Sequence, residues 1–230
     1  GGAAIMAAEA AFRSGAGLVS VATRGQHALA LLSRQPEIMA QGVSCDAEIE
    51  PLIDRATHVV LGPGLGRSEW SRWLFAKLLS SGREGVIDAD ALNILAESPR
   101  DCHDWILTPH VGEAARLLGG DQESNRFSII SRLQKKFGGV VVLKGSGSLI
   151  TDGQTTTVCP YGNPGMAVAG MGDVLSGFLG GLLAQGMPLF KVAQTAVVLH
   201  AYAGDQVASA AGTHGLMATD LIPVVRKLIG

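Results

Sequence analysis

The richest chemical segment of this sequence spans residues 163–177, NPGMAVAGMGDVLSG. Gly165, Gly170 and Gly172, with Gly162 just ahead of them, leave the backbone free to turn so that amides converge. Asp173 follows at the start of an apolar helical pattern that includes Val174, Leu175, Phe178, Leu179, Leu182 and Leu183. Free amides and the dipole at a helix N-terminus make a site for phosphate. A carboxylate beside bound phosphate can take the proton of a hydroxyl group that attacks it. Taken alone, an acid in a first turn equally describes a helix N-cap.

Four further segments add functional groups. Lys144 ends the apolar run VVVL and is followed by Gly145, Ser146, Gly147 and Ser148, so an ammonium, amides and hydroxyls stand together where a phosphate could be held. No Gly-Lys pair occurs in the chain, which rules out a Walker loop. TPHVGE (108–113) displays His110 where a strand stops at Pro109 and a helix begins. GPGLG (62–66) is a glycine turn of the kind that lets backbone approach a ligand closely. With Asp88 of DADALN (88–93) it suggests a dinucleotide fingerprint, but that pattern needs glycine where Arg67 stands. The six histidines form neither HExxH nor a His/Cys cluster, so no metal ligands are expected.

These groups need a frame. Short apolar runs at 18–23, 57–61, 86–88, 105–108 and 140–144 read as buried strands. Between them lie helical patterns at 27–33, 68–79, 91–97, 113–118 and 124–137, after an opening alanine-rich helix that Ser14, Gly15 and Gly17 break. Residues 148–151 and 155–159 read as a hairpin across Asp152-Gly153. Helices at 173–184, 189–210 and 218–228 complete the chain. Continuous apolar strands alternating with helices predict an α/β fold, a mostly parallel central sheet with helices on both faces. Ligands of such sheets bind at the carboxyl ends of the strands, where four of the five chemical segments fall. No linker or repeat is visible, so residues 1–230 are expected to form a single domain.

Composition narrows the class of ligand. Eighteen basic and twenty acidic residues give a net charge of −2 with no basic block, which argues against nucleic-acid binding by charge. Anions must then be held by helix ends and amides, and 31 glycines supply the turns for this. Hydrophobic residues make up 47% and mean hydropathy is +0.29, enough for a sizeable core. No apolar run approaches the ~18 residues of a membrane span. The start lacks the features of a signal peptide. Cys45, Cys102 and Cys159 are sparse and form no CxxC pair, so a cytoplasmic protein with free thiols is expected.

Taken in order, GPGLG, DADALN, TPHVGE, VVLKGSGS and GMGDVLSG resemble the nucleotide-dependent NAD(P)H-hydrate dehydratases of the ribokinase-like superfamily. The resemblance runs from about Gly2 to the C-terminus and includes GAAIMAAEAAFRSGAGLV, similar to that family's opening helix and strand. It implies a ribokinase-like three-layer fold. It also implies a repair enzyme that dehydrates the S form of NADH hydrate and NADPH hydrate, with ADP or ATP as co-substrate and Mg²⁺ to neutralise phosphate charge. Asp173 would be the catalytic base. Ala3, Gly64, His110 and Asp173 would line the hydrate pocket, and Lys144, Gly145, Ser146, Gly147, Ser148 and Gly172 would contact the adenine nucleotide. A homo-oligomer, such as a tetramer, is expected from the apolar helices. Family members usually begin with a further strand and glycine-rich loop, expected to be missing here, and no epimerase domain is expected. The last residue of the lysine loop is Ser148 where many members have threonine. The rival expectation is a small-molecule alcohol kinase of the same superfamily acting on a thiazole or pyrimidine vitamin precursor. Two others are a dinucleotide-binding oxidoreductase and a non-catalytic nucleotide sensor.

Overall fold

The computed structural model describes residues 1–120 and 124–230. Among them a six-stranded sheet runs in the order β3 (His58–Leu61), β4 (Glu84–Ile87), β5 (Trp105–Leu107), β6 (Val140–Leu143), β7 (Leu149–Thr151), β8 (Thr156–Val158). The first four strands are parallel, and β7 and β8 return antiparallel as the expected hairpin. Gly153 at its turn has φ +92°, which suits glycine.

Successive residues on these strands point to opposite faces, and both faces are dry. Val86, Ile106, Val140 and Val142 join one core with residues of α8 (Met171–Leu183), α9 (Leu189–Ala211) and α10 (Leu221–Ile229). Ile87, Leu107, Val141 and Leu143 join another with α4 (Glu69–Leu79), α5 (Ala89–Glu97), α6 (Val111–Leu117) and α7 (Arg126–Phe137). The result is the three-layer arrangement that continuous apolar strands require. Ser68 caps α4 through a reciprocal box with Ser71.

The structure corrects several expectations. Residues 18–23 are not one buried strand: Leu18 is 82% exposed, and only β1 (Ser20–Thr23) pairs, with β2 (Met39–Gly42), in a separate two-stranded parallel sheet. Two elements were not foreseen. The strand β2 is short and half-exposed, and α3 (Asp46–Arg55) carries Pro51 in its interior, a residue that reads as a helix breaker. Asp88 does not extend β4. It is the N-cap residue of α5.

The opening helix α1 (Gly2–Arg13) lies against α8 at close range. A Cβ on Gly177 would overlap the carbonyl oxygen of Ala7 and come within 2.6 Å of the Ala10 Cβ. Small residues on both helices therefore set their separation, and with it the position of the α8 N-terminus.

Candidate active site

The carboxyl ends of β3, β4, β5 and β6 open onto one edge, and each is followed by one of the predicted segments. The ladder continues beyond the strands: Asp88 N–H donates to the Leu61 carbonyl (3.0 Å), Thr108 N–H to Ile87 (3.1 Å) and Lys144 N–H to Pro109 (2.8 Å). The loops are thus fixed to the sheet where they leave it.

The GPGLG turn uses three glycines with positive φ, Gly62, Gly64 and Gly66. A Cβ on Gly62 would overlap the Asp88 carbonyl oxygen, so close approach of the next loop compels glycine there. Gly66 N–H donates to Asp90 Oδ2 at 2.8 Å, tying this turn to DADALN. A Cβ placed on Gly64 would lie 3.3 Å from the Cβ of Ala3, so these two predicted pocket residues do meet.

Asp88 is 1% exposed. Its Oδ1 accepts from Lys144 Nζ at 2.7 Å and its Oδ2 from Ser176 Oγ at 2.8 Å. The lysine is largely buried: its side chain is 19% exposed, and its second carboxylate neighbour is Glu113 Oε2 at 3.9 Å. A Cβ on Gly172 would sit 3.2 Å from Lys144 Nζ, which places the ammonium against the first turn of α8.

His110 is the N-cap of α6. Its Nδ1 accepts the N–H groups of Gly112 (3.0 Å) and Glu113 (3.3 Å), while Glu113 Oε2 accepts His110 N–H (2.8 Å). The ring is 55% exposed, and the residue bridges to Lys144 in parallel register. Next to it the loop of Gly145, Ser146, Gly147 and Ser148 closes on itself. Ser148 Oγ donates to the Gly145 carbonyl (3.1 Å), and Arg126 at the start of α7 donates to the carbonyls of Ser146 and Leu143.

At α8 the N-cap is Gly170, in the left-handed conformation and with no side-chain cap. Asp173, in the first turn, is not the cap that a dull reading would make it. Its carboxyl is half-buried, and burial first, then the charge of Asp88, push its pKa up to about 6; Lys144 pulls the other way and Asp90 adds a smaller push. The segment that enters α8 is pinned by Asp205, which accepts from Gly162 N–H and Asn163 Nδ2, both at 2.9 Å. His200 on α9 is buried and hydrogen-bonded to the Met171 backbone; burial pushes its pKa down to about 4, so it stands neutral.

The structure thus brings Lys144, Gly172 and Asp173 together, pairs Ala3 with Gly64, and sets His110 alongside Lys144. Sequence reading missed Glu113, Arg126, Ser176 and Asp205, whose partners are 17 to 88 positions away along the chain or, for Glu113, include Lys144 from another strand end. Asp88 carried a signal in DADALN, but its partners could not be read. Chemically, the edge offers amides and an ammonium for phosphate and a carboxylate of raised proton affinity for a hydroxyl proton. Among the described residues no group of three or more His, Cys, Asp or Glu side chains could hold a metal ion.

The NAD(P)H-hydrate dehydratase family profile matches residues 1–227. The bifunctional NAD(P)H-hydrate repair enzyme Nnr of Coxiella burnetii is 52% identical, over 100% of this chain and 48% of its own length. The chain therefore spans about half the length of the bifunctional relatives it matches. The ADP-dependent (S)-NAD(P)H-hydrate dehydratase of Neisseria meningitidis serogroup B is 36% identical, over 99% of this chain and 80% of its own. A ribokinase-like superfamily protein from Enterococcus faecalis superposes with a TM-score of 0.92 at 29% identity, over 100% of this chain and 82% of that one. The fold is ribokinase-like, and by the family match and these relatives the chain belongs to the NAD(P)H-hydrate dehydratase family.

Proposed function

We propose that residues 1–230 form one ribokinase-like domain that dehydrates the S form of NADH hydrate and NADPH hydrate, using ADP or ATP. The observation that carries this reading is the half-buried Asp173, with its raised proton affinity, beside Lys144 and the glycine-rich first turn of α8. A base whose pKa lies near the working pH is suited to taking a hydroxyl proton. In this reading Asp173 accepts the proton of the ring hydroxyl, whose oxygen forms a bond to the terminal phosphorus of the nucleotide as the bridging P–O bond breaks. AMP leaves from ADP, or ADP from ATP. Phosphate, a better leaving group than hydroxide, then departs with a proton from the adjacent ring carbon, which restores the dihydronicotinamide.

The nucleotide would lie against Lys144, Gly145, Ser146, Gly147, Ser148 and Gly172, with the α8 amides stabilising charge on the transferring group. The hydrate would lie against Ala3, Gly64, His110 and Asp173. Mg²⁺ would travel on the phosphates of the nucleotide and neutralise part of their charge. A homo-oligomer is supported by Val198 and Tyr202, exposed one turn apart on α9, with Tyr161 edge-on to Tyr202 at 5.4 Å. A cytoplasmic setting fits three free cysteines, and among the described residues no helix is long and apolar enough to cross a membrane.

The test is direct. The protein is incubated with NADH hydrate or NADPH hydrate and ADP or ATP, and recovery of the reduced-nicotinamide absorbance is followed. Recovery that requires nucleotide is expected. No recovery with either nucleotide from folded protein would sink the reading, and nucleotide-dependent phosphorylation of a thiazole or pyrimidine alcohol would put the kinase in its place.

A further inference from the structure

Asp88 has no assigned task, yet three independent features of the fold are spent on it. The first is its burial. A carboxylate that is 1% exposed is costly to keep charged unless it is paired and hydrogen-bonded. The second is its direction. Asp88 is the N-cap residue of α5, where aspartate commonly caps with its side chain, but this side chain makes no cap bond. It turns instead to Lys144 behind β6 and Ser176 on α8, 56 and 88 positions away in sequence. The third is the backbone that aims it. Ala89, with φ +47°, is the one non-glycine residue of positive φ among the described residues, a conformation that side chains disfavour. Gly62 must be glycine to let this turn approach.

We propose that Asp88 is a positioning residue, which holds Lys144 at the mouth of α8 between the nucleotide loop and Asp173. The assignment rests on the dehydratase reading for its purpose, but its geometry stands apart from it. Lysine has three donors, and one is engaged by Asp88 Oδ1. The ammonium is thereby kept against Gly172 with donors left for a phosphate that enters there. Ser176, one turn beyond Asp173 on the same helix, fixes the other carboxylate oxygen, so one carboxylate ties Lys144 to α8.

The charge of Asp88 also reaches Asp173. The groups that face Asp173 are Asp88, the N-cap of α5, Asp90 in the first turn of α5, and Lys144 after β6; Glu113 of α6, its N-cap His110 and neutral His200 of α9 lie around the lysine. Asp88 is the largest charged contribution to its raised proton affinity. Removing that negative charge must lower the pKa of Asp173, and removing the ammonium must have the opposite effect.

The experiment uses the full chain and Asp88→Asn, which keeps the size of the side chain and removes its charge. In the free protein, the ¹³C carboxyl resonance of Asp173, assigned by its loss in Asp173→Asn, is expected to titrate near 6. In Asp88→Asn its midpoint is expected to fall by about half a unit or more. Turnover should show a nucleotide KM raised by about tenfold, an unchanged hydrate KM, and an acidic limb of the pH profile displaced to lower pH. A buried residue with a merely structural role would lower thermal stability without splitting the two KM values; that result overturns the proposal, and so does an unmoved midpoint. Should Asp88→Asn fail to fold, Lys144→Met carries the test, because the first of the two facing carboxylates must then protonate at higher pH than in the wild type. An unchanged midpoint there is equally fatal. Wild-type protein inactive on both hydrates would defeat the dehydratase reading alone, since the titrations still decide the role of Asp88.

Discussion

At the scale of single residues, Asp173 is set between what its proposed chemistry wants and what folding wants. With a folded pKa of about 6 it is a base only above that pH, so kcat/KM for the hydrate should fall about tenfold per unit below it. Initial rates across a buffer series check this, and a flat profile down to about pH 5 would remove Asp173 as the base. Asp173→Asn is expected to cut turnover about 10²- to 10⁴-fold while leaving nucleotide binding, measured by calorimetry, nearly intact. The same substitution should stabilise the protein. The unfolded carboxyl keeps its ordinary value near 3.8, so between 3.8 and about 6 the folded state holds the extra proton and stability falls as pH rises. Above that window the penalty is constant, about 1 kcal/mol once the exposed part of the group is allowed for. Denaturant unfolding should show Asp173→Asn more stable by that amount near pH 7.5, with the difference gone below about pH 3.8. Asp173 was legible in sequence because a glycine turn, an acid and an apolar helix fall side by side. Asp88 and Glu113 were not, since their meaning lies in Lys144, which reaches them only through strand order.

At the scale of elements, the site depends on one close helix crossing. The α1 helix carries Ala3 to Gly64, and α8 carries Gly172 and Asp173 to Lys144; both meet where Gly177 and Gly181 face Ala7, Ala10, Ala11 and Ser14. Gly177→Ala must push the helices apart, at a cost of about 1–3 kcal/mol. It should also lower kcat/KM although the residue lies a full turn below Asp173. Gly17→Ala, where an added Cβ meets nothing within 4 Å, is the control and should change stability by less than about 0.5 kcal/mol. Thermal melts of both variants check the contrast, and equal effects would mean that the crossing has slack. The strands β3, β4 and β5 could be read because each is a short apolar run closed within two residues by glycine, proline or an N-cap residue. The helix α3 could not, because a proline in mid-helix is tolerated only by context. The crossing itself was equally hidden, since small residues look alike whether they face solvent or another helix.

At the scale of the molecule, the least legible feature is how the two sheets meet. Hydrophobic runs identify β1 and β3 as strands but do not say which flanks will be paired. Among the described residues β1 pairs only with β2 and β3 only with β4, and both β1 and β3 line one cavity of about 610 Å³ together with Ala4, Ala7 and Ala11 of α1 and Gly180 of α8. Gly62, Pro63 and Gly64 line the same cavity, so it reaches the candidate site. A strand flank without a ladder leaves amides that water can reach, whereas β4, β5 and β6 are hydrogen-bonded on both sides. Native-state hydrogen exchange should therefore be on the order of 10²-fold faster for the least protected amide of β3 than for those of β5, under conditions where global unfolding is negligible. Such a contrast would mean that the frame holding Gly62 and Gly64 opens locally from its β3 side while the Asp88–Lys144–Ser176 connection stays closed. Protection of β3 equal to that of β5 would mean that this flank is covered in solution. Sedimentation across a range of concentrations would then tell whether the cover is a second copy of the chain, since only that cover is lost on dilution.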